Sequence, residues 1–170
     1  MKKLSLIVCL VMCFPAMGDD DTDFAKVLRE KGHKHCSSSI NTAANFLTEK
    51  DASTQSLWNQ DDANNHMGLF IASKRYSDVN SLLVLSAQRT TLGGCDVSFK
   101  LTFGADKSCA SVRETTFKDW KFYGEIQGLP IYKDPTTDNI QTVLQPLGSG
   151  CIVNKMGVLF FAKGDLKDVK

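Results

Sequence analysis

Four cysteines, Cys36, Cys95, Cys109 and Cys151, constrain this chain more than any other feature. Two further cysteines, Cys9 and Cys13, lie in an N-terminal segment that carries the marks of an export signal. Lys2 and Lys3 are followed by a mainly apolar stretch at 4–14, by Pro15, and by the small residues Ala16 and Gly18. The stretch is shorter than the about 20 residues a membrane-spanning helix needs. The expectation is a signal peptide at 1–18, cleaved after Gly18. The alternative is lipidation at Cys13, against which Met12 stands where a small residue is wanted.

An even number of cysteines in an exported chain reads as two disulfides, and four cysteines allow three pairings. Cys95 and Cys109 flank one strand and turn, whereas Cys36 and Cys151 lie near the two ends of the chain that remains. The spacing therefore favours Cys95–Cys109 with Cys36–Cys151. In the loop-entropy account, closing about 15 residues is worth about 3 kcal/mol and closing about 100 nearer 4.7 kcal/mol, less any strain.

Residues 19–170 are expected to form a single α+β domain, a length that supports an ordinary core. Loss of Lys2 and Lys3 takes the formal net charge from +1 to −1. A chain so close to neutrality has no global electrostatic reason to bind nucleic acid or an anionic membrane. No second apolar stretch approaches transmembrane length.

Helical spacing comes first along the chain. Four aspartates and a threonine at 19–23 suit a helix start. Phe24, Val27 and Leu28 fall at helical spacing until Gly32 interrupts, and Ile40, Ala43, Ala44 and Leu47 repeat the amphipathic pattern. Residues 48–65 read as a long polar connection with Leu57-Trp58 as its apolar anchor. Strands are expected at 67–76 and 79–90, joined by a turn at Ser77-Asp78. The next strand alternates Cys95, Val97, Phe99, Leu101 and Phe103 with polar residues, the strongest strand signal present. Ser108 is placed to cap a short helix at 109–117. Strands at 120–126, 129–133, 140–144 and 151–158 follow, separated by glycine and proline turns. The fold expectation is α+β: N-terminal helices packed on a mainly antiparallel meander, braced by two disulfides, with a charged tail at 163–170. No internal repeat is visible.

His33, His35 and Cys36 are bunched in Gly32-His33-Lys34-His35-Cys36, and the only other histidine is His66. A zinc site needs three or four ligands. It would consume nearly all of these, and a disulfide at Cys36 removes the thiolate. The same disulfide removes Cys36 as a catalytic nucleophile. The preferred reading is therefore surface histidines beside a structural cysteine, with no metal and no cofactor. Gly148-Ser149-Gly150 superficially resembles a nucleophile elbow, but no helix follows it, and a hairpin turn explains it better. No phosphate-binding or dinucleotide-binding glycine pattern occurs. Lys74-Arg75 and Arg89 read as a solvated charge group.

Of the two tryptophans, Trp120 is expected in the core, sharing a strand face with Phe122 and Ile126. Trp58, alone in a polar stretch, is the candidate binding residue, since interface hot spots favour Trp. It equally fits a plug closing the core beneath its loop. The layout resembles that of small exported proteins of Gram-negative bacteria, with a signal, an N-terminal helix and a two-disulfide antiparallel sheet. The resemblance implies the periplasm and carries no functional residue. The expected function is a non-enzymatic exported protein that binds a protein or envelope component, of the inhibitor, immunity or accessory type. A small hydrolase and a small-ligand or lipid carrier are the alternatives.

Overall fold

Every strand among the described residues finds its neighbours in one antiparallel sheet. The structure, a computed structural model, describes residues 28–48, 53–75 and 79–163. The expected signal peptide at 1–18 with its two alternative processing sites, the acidic start, Phe24, Val27, the turn expected at Ser77-Asp78 and the tail beyond Lys163 lie outside the described residues. Among those described are helices α1 (Ser37–Thr48) and α2 (Cys109–Thr115). The eight strands are β1 (Ser53–Leu57), β2 (Gly68–Arg75), β3 (Asn80–Arg89), β4 (Cys95–Ala105), β5 (Lys121–Ile126), β6 (Leu129–Lys133), β7 (Ile140–Leu147) and β8 (Gly150–Phe161). The α+β class stands, with the sheet much the larger part. No helix among the described residues is long and apolar enough to cross a membrane.

The helix spacing does what the sequence implies. Ile40, Ala43, Ala44 and Leu47 are all buried, in one cluster with Phe70, Leu83, Leu85, Val97 and Phe99 of the sheet. Cys36 sits at the N-cap position of α1, its carbonyl accepting the Ile40 amide at 2.9 Å. Ser108 caps α2 through a hydrogen bond from the Ser111 amide to its Oγ.

The sheet order is β1-β2-β3-β4-β8-β7-β6-β5. It is two four-stranded meanders joined through their last strands, β4 against β8. Each meander directly follows a helix, α1 or α2. Each helix is tied at its start by a disulfide to the beginning of its own meander's last strand, Cys36 to Cys95 and Cys109 to Cys151. Lys100 lies directly opposite Met156 in the central pair, and each stands five residues beyond the cysteine of its strand. A two-fold rotation about that point exchanges the two units. In strand register this matches Val97 with Val153, and Leu83, Leu85 and Ala87 of β3 with Ile140, Thr142 and Leu144 of β7, all buried. The chain is thus a structural repeat of an αββββ unit. The sequence hid it because the unit's register is shared while its side chains and loop lengths are not.

The observed disulfides replace the expected pairing. Cys95 opens an 11-residue strand that Cys109 follows, so the two are separated by more than about 30 Å of extended chain. A disulfide holds its Cα atoms within about 7 Å. Cys151 lies opposite Ala105, at the far end of β4 from Cys95, which brings it to Cys109 and away from Cys36.

The polar connection at 48–65 also contains a strand, β1. Its side chains alternate between exposed and half-exposed, and none is buried, so the apolar alternation that marks a strand is missing. It is held as an edge by pairing with β2, from Ser53↔Ser73 to Leu57↔Leu69.

Candidate functional site

Two places gather the side chains that could act. The first lies at the start of α1. Residues 31–36 turn rather than spiral, and Asn64 fixes that turn by accepting the backbone amides of Lys34 and His35 on its Oδ1, at 2.9 and 3.2 Å. His33, His35 and His66 then line one small cavity with Cys36, Asn64 and Arg89. Its volume of about 10 Å³ has room for little more than a water.

His33 is not the surface histidine that its sequence setting implied. It is 4% exposed, with its ring edge-on to Phe70 at 5.1 Å and to Trp58 at 5.7 Å between centroids. Burial lowers its pKa below the ordinary histidine value, partly opposed by a hydrogen bond to the Ala63 backbone. Its Nε2 is buried with no partner among the described residues. Burial therefore favours the neutral imidazole. His35 is exposed, its Nε2 3.4 Å from an Arg89 guanidinium nitrogen. No group of three His, Cys, Asp or Glu side chains among the described residues is arranged to hold a metal.

Trp58, the candidate binding residue, is half-buried just beyond β1, with the Lys31 amine 5.4 Å above its ring. Its place against His33 is that of a cover over a buried imidazole.

The second place is the opposite edge of the sheet. β5 ends the order, and five of its six residues are exposed on both faces; only Gly124 is half-buried. Phe122, Tyr123 and Ile126 are 62%, 59% and 60% exposed. The expectation that Trp120, Phe122 and Ile126 share a buried face is corrected here. The pairing with β6 slips between Phe122↔Tyr132 and Gly124↔Ile131, a β-bulge at Tyr123. Residues on either side of the bulge lose the two-residue alternation. Trp120 itself packs against both buried clusters, 5.0 Å edge-on to Phe117.

The bulge turns Tyr123 toward Lys133, whose amine lies 4.1 Å from the ring centroid. Together with Lys121, Phe122 and the β6–β7 loop, they line an open groove of about 400 Å³. The loop is self-supporting: Asp134 Oδ1 accepts both the amide and the hydroxyl of Thr136. Lys133 pairs with Asp138 at 3.5 Å. Lys121 has no ion pair among the described residues.

The two places do not meet, since Trp58 follows the β1 edge and the groove borders β5. A nearby cation on the helix side is Lys155, whose amine lies 5.8 Å from the Phe46 ring and 5.5 Å from that of Trp120. Burial lowers its pKa, and Asp134 opposes that. Ser149 is exposed in the two-residue turn between β7 and β8, where Gly148 has φ +58°.

No family model, curated protein or solved structure matches this chain.

Proposed function

We propose that this is an exported, periplasmic, non-enzymatic protein that binds another macromolecule through the β5 edge of its sheet. One comparison within the molecule carries the reading. The repeat supplies two equivalent edges to the described sheet. β1 is Ser-Thr-Gln-Ser-Leu, whereas β5 is Lys-Phe-Tyr-Gly-Glu-Ile with its aromatic residues in solvent. Both edges face the same demand for solubility, and only one keeps exposed aromatics. Contiguous exposed apolar side chains mark interaction surfaces, and Tyr and Phe are favoured interface residues.

The two disulfides suit an oxidising compartment. They tie the two helices to the central strands β4 and β8.

The test is retention of a specific partner from envelope extract on immobilised protein. The wild-type chain is expected to retain it and the Phe122→Ser, Tyr123→Ser double variant to lose it, with unfolding midpoints unchanged. Equal retention by both would end this reading.

A further inference from the structure

The identity of that partner's docking segment can be taken further, on the reading just given. Among the described residues β5 is an edge strand, with the outward-pointing amides and carbonyls of one side available to another strand. Its side chains sort by face through the pairing with β6. Lys121 stands directly opposite Lys133, and Ile126 opposite Leu129, on one face. Phe122 stands opposite Tyr132 and Glu125 opposite Pro130 on the other, helix-bearing face, where Phe122 and Tyr132 meet edge-on at 5.9 Å.

Directly opposed like charges destabilise a strand pair. Lys133 is relieved by Asp138 at 3.5 Å and by the Tyr123 ring. Lys121 is left with its amine in solvent at the open edge. A carboxylate on the next strand would satisfy it and lower the repulsion across the pair.

Glu125 of a second copy, the one carboxylate on β5, does not supply it. Lys121 and Glu125 are four apart, which in a regular strand puts them on one face. The bulge at Tyr123 sends them to opposite faces. Two β5 edges meeting about a two-fold keep like faces together, so no register sets Lys121 of one copy against Glu125 of the other. A bulged edge also resists regular self-pairing.

We infer that the β5 edge receives an extended, acidic segment of a partner protein, adding a strand with a carboxylate against Lys121 and an apolar side chain against Phe122. The main chain supplies the hydrogen bonds, and the alternating side chains supply the choice.

The probe is a labelled ten-residue peptide alternating valine and glutamate, with the valine–lysine peptide as its counterpart, read by fluorescence anisotropy. The wild-type protein is expected to bind the glutamate peptide at least about tenfold more tightly than the lysine peptide at low salt. Lys121→Glu should reverse that order, and Trp58→Ala, beyond the other edge, should leave it unchanged. Far-UV circular dichroism checks that each variant is folded. Equal binding of both peptides, indifference to Lys121→Glu, or no binding up to about 1 mM overturns the inference. Retention of an envelope partner by Lys121→Glu as fully as by wild type also overturns it, while leaving the broader binding role in place.

Discussion

Lys100 of β4 stands directly opposite Met156 of β8, and the two halves of the protein turn into one another about that pair. The relationship sets up a comparison that few folds allow, between two copies of one architecture with different sequences. Each copy closes a disulfide between its helix start and its last strand, over separations of 59 and 42 residues. Loop entropy depends only logarithmically on length, so both are worth about 4 kcal/mol by that account. Cys36→Ala with Cys95→Ala, and Cys109→Ala with Cys151→Ala, should each lower stability by about 2–4 kcal/mol in urea unfolding, and by nearly equal amounts.

The neutral, buried His33 makes stability depend on pH. Its folded pKa lies below the unfolded one, so the unfolded chain takes up this proton first. Stability from this group is complete above about pH 6.5, and declines as pH falls through that value toward the folded pKa. Urea midpoints between pH 7.5 and 5 should fall accordingly. His33→Gln should remove this part of the slope, even though it lowers the midpoint at every pH.

Trp58 has a measurable structural part, whatever else it touches. Its ring is one wall around His33. Trp58→Ala should cost about 1–2 kcal/mol and should move the His33 pKa up toward its ordinary value by admitting water, as read by NMR titration. An unchanged His33 titration would make Trp58 a surface residue without a covering role.

Gly157 is set by a close approach. A Cβ there would strike the Asn139 carbonyl oxygen and come within 3.1 Å of Ile140 and of Phe99. That carbonyl accepts the Val158 amide at 3.1 Å. Gly157→Ala should therefore destabilise by about 1–3 kcal/mol through overpacking, visible as a lower Tm, whereas Gly124→Ala, where an added Cβ meets no atom within 4 Å, should cost less.

What the sequence made legible follows burial. β4 and α1 bury one face each, and their periods of two and 3.6 were readable in Cys95, Val97 and Phe99 and in Ile40, Ala43 and Leu47. β1 and β5 bury almost nothing, so periodicity has no purchase on them. The strand at Ser53–Leu57 passed for a loop, and the apolar residues of β5 passed for core. The bulge at Tyr123 was illegible because it depends on how β6 pairs, and Lys-Phe-Tyr-Gly-Glu-Ile contains no turn signal beyond Gly124. The exposed candidate site was missed for the same reason. Its residue types were those of a core strand, and only the sheet order reveals that no described strand lies beyond them. The three histidines, by contrast, meet around one cavity although His66 is far from the others in sequence, through the Asn64 clamp on the turn at 34–35.

The order of the disulfides along the chain has a consequence for biogenesis. The two covalent loops, 36–95 and 109–151, lie one after the other and neither encloses the other. A chain that emerges amino end first presents Cys95 to Cys36 before Cys109 or Cys151 has appeared, and then Cys151 to Cys109. Each correct bond joins consecutive cysteines. An oxidant that simply bonds thiols in order of arrival therefore makes the native pairs, with no reshuffling required.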